Sequence, residues 1–253
     1  MLDLDCVTFA YPGQSPIFED FSWSVQDGES WAVTGPSGCG KSTLLMLLAG
    51  LRRPTAGTIN IQGQPLVRPS PRTGLIIQDY GLLPWATVRE NAALGLTVRR
   101  FYGPDGKHAD SVPPAAEQVD YWLDRLGLTA VAAQYPQQVS GGQRQRTAIA
   151  RTLVLQPGLL LMDEPFSSLD APTREGLQSL VLDLRAEQKL TLVLVTHAIE
   201  EAAWMGEKIL VLGAPPNRVP AVLENPSAGG PGYRETDAYS QVCRQLRGML
   251  EAV

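Results

Sequence analysis

The chain has 253 residues, 44% hydrophobic and 19% charged, with a net charge of −5. That length and balance fit one substantial core, or a core with an inserted subdomain, in an ordinary soluble globular protein. The acidic balance counts against a nucleic-acid binder, because phosphate backbones favour basic surfaces.

No apolar run approaches the ~20 residues needed to cross a bilayer; the longest, "LLMLLAGL" and "LTLVLVTH", have the length of buried helices or strands. The start, "MLDLDCVTF", is acidic and lacks the basic opening of a secretory signal. Three widely spaced cysteines suggest neither a disulfide framework nor a zinc site, so a reducing cytosol is expected.

The first segment reads as short strands, "LDLDCVTFAY" and "FSWSVQDGESWAVTG", with Asp27-Gly28 as a hairpin signal. "GTINIQGQPL" alternates in the same way. From Trp31 the pattern changes: the strand "WAVT" runs into a Gly-rich loop and then the apolar helix "KSTLLMLLAGL". Between residues 84 and 155 the strand signal vanishes. "TVRENAALGL" opens with Thr87 and Glu90 in capping-box register. After it come a Pro/Gly-rich connector, "RRFYGPDGKHADSVPPAA", the helix "EQVDYWLDRLGL" and a helix beginning at "SGGQ".

The strand "LLLMDEP" follows, then "APTREGLQSLVLDLRAEQ", where Leu177, Leu180, Val181 and Leu184 recur at helical spacing and Pro172 suits the first turn. Next are "LTLVLVTH", another helix, "KILVLG", the loop "ENPSAGGPGYRE" and a final helix. On that helix Tyr239, Val242, Cys243, Leu246 and Leu250 form one packing face. Apolar strands alternating with amphipathic helices imply an α/β fold whose mainly parallel sheet is covered on both faces and binds ligands at the strands' carboxyl ends. The expected organisation is a β subdomain and α/β core from residues 1–83 and 156–253, with a helical insertion at 84–155.

"GPSGCGKS", Gly35 to Ser42, matches the phosphate-loop pattern and lies between a predicted strand and a predicted helix, the context the pattern requires. Gly35, Pro36, Ser37, Gly38, Cys39, Gly40, Lys41, Ser42 and Thr43 would wrap phosphates with backbone. Lys41 would neutralise the β and γ groups, and Ser42 would offer a hydroxyl to Mg²⁺. Cys39 reads as a small residue that fits the loop, with a redox role as the alternative.

Asp163 and Glu164 end a buried strand, and alone could be a solvated strand end. Beside a phosphate loop, Asp163 suits Mg²⁺ and Glu164 suits acceptance of a proton from attacking water. His197 follows a strand and can be either a structural histidine or a donor to the γ-phosphate; His108, in the connector, has no such context. Gln78, placed at the end of the strand "GLIIQD", can offer an oxygen to Mg²⁺ and position water. Tyr11 is either a buried edge tyrosine or a platform for an adenine ring.

In chain order, Tyr11, "GPSGCGKS", Gln78, "VSGGQ", "LLLMDE", "SSLD" and His197 in "VTHAIEEA" resemble the ATP-binding subunits of ABC transporters, over nearly the whole chain. The phosphate loop alone leaves kinases, GTPases and helicases open; "SGGQ" shortly before "LLLMDEP" closes most of those alternatives.

The resemblance implies the ABC ATPase fold, a phosphate-loop core with an N-terminal antiparallel β subdomain and a helical insertion. It also implies a head-to-tail homodimer with ATP and Mg²⁺ held between copies. Ser140, Gly141, Gly142 and Gln143 would cap the γ-phosphate bound by the partner copy, and Asp170 would couple the two sites. "LLPWATVRENAALGL" and the short lead resemble the nitrate, sulfonate and taurine importers. Membrane permease subunits, and indirectly a solute-binding protein, are the implied partners, at the cytoplasmic face of the membrane. Leu82, Leu83 and Trp85 are expected to dock a permease helix, with Trp85 packed inside the helical insertion as the alternative. An exporter ATPase, a soluble ABC ATPase and a non-hydrolysing nucleotide-binding module are the alternatives.

Overall fold

Leu2, Leu4, Val7 and Phe9 turn inward from the first strand, so the alternation slips by one residue midway. The slip is a bulge. In the computed structural model, which describes residues 1–102 and 116–252, the register shifts between Leu4 and Val7, and Cys6 has φ 48°. Opposite it, a Cβ at Gly57 would lie 2.3 Å from the Cys6 carbonyl oxygen, so only glycine fits there.

Contacts divide the chain into two units, residues 1–70, 159–164 and 181–253, and residues 71–158 and 165–180. In chain order the strands are β1 Leu2–Phe9, β2 Phe18–Val25, β3 Ser30–Thr34, β4 Ala56–Ile61, β5 Gln64–Pro65, β6 Thr73–Ile76, β7 Leu159–Asp163, β8 Thr191–Val195, β9 Lys208–Val211 and β10 Ala221–Glu224. The helices are α1 Lys41–Leu48, α2 Val88–Tyr102, α3 Ala116–Arg125, α4 Gly141–Leu153, α5 Ala171–Gln188, α6 Ile199–Met205 and α7 Asp237–Glu251.

The first unit holds two sheets. One is antiparallel in the order β2-β1-β4-β5. In the other, β3 pairs in parallel with β8 and β9, β7 pairs in parallel with β8, and β10 runs antiparallel along β9. Every residue of β3 and β8 is buried, as a sheet covered on both faces requires. Ala32, Ile209 and Val211 pack with Ala202 of α6 and Leu246 of α7, with Val242 and Leu250 partly buried beside them, so the apolar face of the last helix is packing.

The Asp27-Gly28 turn forms, with Gly28 at φ 77°, but it is not a hairpin. The strands on either side belong to different sheets: β2 pairs with β1, the strand before it, whereas β3 pairs with β8, far along the chain.

In the second unit α4 packs against α2, α3 and β6, which keeps residues 71–83 with the helices. The Thr87–Glu90 capping box is present: the Glu90 carboxylate accepts from the Thr87 N–H, and the Thr87 hydroxyl accepts from the Glu90 N–H. The helix it starts runs to Tyr102, past the expected connector boundary at Arg99. His108 lies outside the described residues.

Candidate functional site

Three parallel strands of the first unit end at the same edge, and their last residues carry the site. After β3 the chain turns through Gly35–Gly40 into α1, with Pro36, Ser37 and Gly38 exposed at the crest. Gly40 caps α1 at φ 109°, and a Cβ there would lie 2.4 Å from Ile17 Cγ2, so the turn tolerates no side chain. Lys41 Nζ donates to the carbonyls of Gly35 (2.8 Å) and Pro36 (2.9 Å), folding the ammonium over the loop. Cys39 is buried, and burial pushes its thiol up despite Lys41 nearby, leaving it an inert packing residue.

β7 delivers Asp163, whose carboxylate accepts a hydrogen bond from Ser42. Burial, opposed by the Ser42 hydrogen bond and abetted by the adjacent Glu164 charge, pushes the Asp163 carboxyl above its ordinary range. A carboxylate and a hydroxyl are hard oxygen donors, and a divalent cation there would offset the cost of that buried charge. Among the described residues no cluster of three or more His, Cys, Asp or Glu could hold a metal.

Glu164 is the next residue, at φ 44°, a conformation L side chains rarely adopt. Its N–H donates to the Val195 carbonyl at 2.9 Å, and its Oε2 lies 3.2 Å from Nδ1 of His197. The Glu164 side chain is 22% exposed and that of His197 63%, so the pair faces solvent through the imidazole. Tyr11 joins the same edge, with its hydroxyl 3.3 Å from Thr43 Oγ1 and the Arg52 guanidinium 5.6 Å from its ring centroid.

The other expected residues lie in the second unit. β6 stops at Ile76, so Gln78 sits in the loop beyond the strand rather than at its end, and it is exposed. Ser140 caps α4: its hydroxyl accepts from the Gln143 N–H at 3.2 Å, and Gln143 Oε1 accepts from the Ser140 N–H at 2.9 Å. "SGGQ" is thus a complete capping box. A Cβ at Gly142 would lie 2.7 Å from Thr173 Cγ2, so a side chain there would displace Thr173. Asp170 accepts from the Thr173 N–H at 3.2 Å and caps α5.

Helix polarity singles out two of these termini. The first turns of α2, α3, α6 and α7 carry Glu90, Glu117, Glu200 with Glu201, and Asp237, which neutralise the positive helix end. The first turns of α1, α4 and α5 carry no acid, and at α5 the capping carboxylate of Asp170 supplies the negative charge instead. An anion is the complementary charge at α1 and α4.

Residues 18–167 match the sequence family described as ABC transporter. The chain belongs to that family. It is 35% identical to an aliphatic sulfonates import ATP-binding protein, SsuB of Bacillus cereus, covering 94% of this chain and 90% of that one. It is 40% identical to the nitrate import ATP-binding protein NrtD of Synechococcus elongatus, covering 89% and 81%. A dimeric post-hydrolysis structure of the ATP-binding cassette MJ0796 with ADP and Pi superposes with a TM-score of 0.73 at 28% identity, covering 88% and 98%. Membership makes this chain an ATP-binding cassette and an ATP hydrolase.

Two braces of the cassette carry no motif. Asn217, buried in the loop after β9, donates to the Cys39 carbonyl at 2.9 Å and the Ile17 carbonyl at 3.2 Å, holding the phosphate loop from behind. Thr196 donates to the buried Glu201 carboxylate and accepts from the Ala198 N–H at 3.0 Å, which fixes the turn bearing His197. Only the acidic first turn of α6 hints at the second brace, and nothing local hints at the first.

The raised Asp163 pKa gives a stability prediction. The native state holds a proton there more tightly than the unfolded chain, so the stabilisation is complete below the unfolded pKa and is lost as pH rises through the folded one. At neutral pH the ionised carboxylate therefore destabilises the nucleotide-free cassette. Asp163→Asn is expected to raise Tm at pH 7, by a margin that shrinks as pH falls through the Asp163 pKa. Calorimetry without nucleotide checks this, and a lowered Tm at pH 7 refutes it.

Proposed function

We propose that this chain is the ATP-hydrolysing subunit of a bacterial importer for a small oxyanion such as a sulfonate, taurine or nitrate. The observation that carries its chemistry is the division of labour at the end of β7: Asp163 meets Ser42, while Glu164, one residue on, meets His197. Adjacent strand-end carboxylates thereby serve different partners.

Lys41 and the loop backbone bind the triphosphate, and Tyr11 offers the adenine the ring face that Arg52 does not cover. A bound magnesium ion would supply charge neutralisation at the β and γ phosphates, held by Ser42 and Asp163 and joined by Gln78. Glu164 takes the proton of the attacking water, and His197, oriented by the Glu164 carboxylate, donates to the γ-phosphate. Ser140, Gly141 and Gly142 of a second copy cap that phosphate with the acid-free end of α4, so two ATP molecules hold a homodimer together.

Coupling to transport is supported by the turn after Gln78. Asn91 is fully buried; its side chain accepts from the Leu83 N–H at 2.7 Å and donates to the carbonyls of Leu83, Ala86 and Thr87. The turn is rigid from beneath, and Trp85 stands 73% exposed on it rather than packed among the helices. Such an anchor suits an apolar helix of a permease at the inner face of the membrane, with a solute-binding protein delivering cargo from the other side.

The test is co-expression with a permease of a sulfonate, taurine or nitrate importer and a phosphate-release assay. The permease is expected to co-purify, and Trp85→Asp to weaken that association at least about tenfold while the isolated chain keeps its ATPase rate. Turnover stimulated by nucleic acid, with no membrane subunit retained, would overturn the transport reading.

A further inference from the structure

Tyr80, two residues after Gln78, is buried and held at φ 61°, where an aromatic side chain is strained. Three hydrogen bonds hold it there. Its N–H closes a turn onto the Ile77 carbonyl at 2.9 Å, and its own carbonyl accepts from Arg151 Nη2 at 2.5 Å. The third joins its hydroxyl to Ser168 Oγ at 2.6 Å. Arg151 also donates to the Gly81 carbonyl at 2.5 Å.

These partners are not neighbours in sequence. Ser168 belongs to "SSLD" and precedes Asp170, the cap of α5, by two residues. Arg151 lies in the last turn of α4, the helix that Ser140 caps at its other end. One strained residue therefore ties the loop of Gln78 to the segment of Asp170 and to the far end of the "SGGQ" helix. Backbone strain of this kind persists only where surrounding bonds over-determine it. A tyrosine whose ring is buried could rest with its hydroxyl on water, so the hydroxyl's placement on Ser168 is a specific linkage rather than a general packing need.

We propose that Tyr80 is a positioning residue for ATP hydrolysis, yoking the Gln78 loop to the Ser168–Asp170 segment so that both move as one. This rests on the role proposed for Gln78; the coupling role expected of Asp170 is tested separately. Without the yoke each segment still binds its own partners, but they reach the hydrolytic arrangement independently and less often. The loss should therefore fall on kcat and on cooperativity between the two ATP sites of a dimer, not on nucleotide affinity.

The test uses the purified full chain with Tyr80→Phe, Ser168→Ala, the double variant and Ser168→Thr. Each of the first two is expected to lower kcat about tenfold, with KM and fluorescent-ATP affinity within about twofold of the parent. Their Hill coefficients should fall toward one. The double variant should be no slower than either single one, because both remove the same bond. Ser168→Thr, which keeps the hydroxyl, should recover most of the loss. A Tm scan confirms that Tyr80→Phe folds. The proposal is overturned if Tyr80→Phe turns over at the parental rate, or if the two losses multiply in the double variant. Asp170→Ala separates the two readings. If it is silent while Tyr80→Phe and Ser168→Ala fall together, the role of Asp170 fails and the yoke stands; if it falls while Tyr80→Phe is silent, the yoke fails alone.

Discussion

Glu164→Gln is expected to bind ATP like the parent chain and to hydrolyse it about a thousandfold more slowly. Glutamine keeps the length of the side chain, and its carbonyl oxygen can still accept from His197, now 3.2 Å from Oε2. What it cannot do is take a proton from water. The unusual backbone at φ 44° is set by the Val195 bond to the Glu164 N–H, which the substitution leaves alone. Geometry and binding should therefore survive while chemistry stops. If two triphosphates hold two copies together, blocking hydrolysis should also trap the dimer, visible on a sizing column with Mg²⁺ and ATP and absent without nucleotide. Single-turnover phosphate release measures the rate directly. A variant that hydrolyses normally removes Glu164 from the role of base. One that stops hydrolysing but elutes as a monomer with ATP leaves the base in place and removes the shared site.

The residues of this prediction were legible in the sequence because each is dictated locally. A Gly-rich turn between strand and helix, and two carboxylates ending an apolar run, declare themselves over a few positions. What was not legible depends on partners distant along the chain. The Asp27-Gly28 turn looks like a hairpin over ten residues, and only the pairing of β3 with β8, some 160 positions later by residue number, assigns its two strands to different sheets. The bulge at Cys6 exists because Gly57 gives it room. Asn217 braces the phosphate loop from 178 residues away, and Tyr80 meets Ser168 across 88. Capping boxes lie between these extremes. Thr87–Glu90 was readable, whereas Ser140–Gln143 has the same spacing but hides within a pattern whose glycines suggest phosphate first.

Ser140 caps α4 and, in the proposed dimer, would also meet the γ-phosphate of the other copy; two substitutions are expected to separate these roles. As a cap, its oxygen accepts from the Gln143 N–H. Ser140→Asp keeps that acceptor, since aspartate caps helices as well as serine, so Tm should stay with the parent. Ser140→Ala removes it at a cost of about 1 kcal/mol, a Tm loss of roughly 2–4 °C in a chain of this size.

The order reverses for hydrolysis. Alanine leaves the end of α4 free of acid and small enough for a phosphate, so kcat should fall by no more than about tenfold. Aspartate sets a negative charge where the γ-phosphate of the other copy would lie, and kcat should fall about a hundredfold or more. Nucleotide affinity of the monomer should be unchanged in both, because Lys41 and its loop are untouched. The crossed pattern is the diagnostic: one substitution is stable and slow, the other less stable and faster. If Ser140→Asp were as active as Ser140→Ala, the terminus of α4 would be a helix cap alone, and the phosphate of the second copy would be held elsewhere.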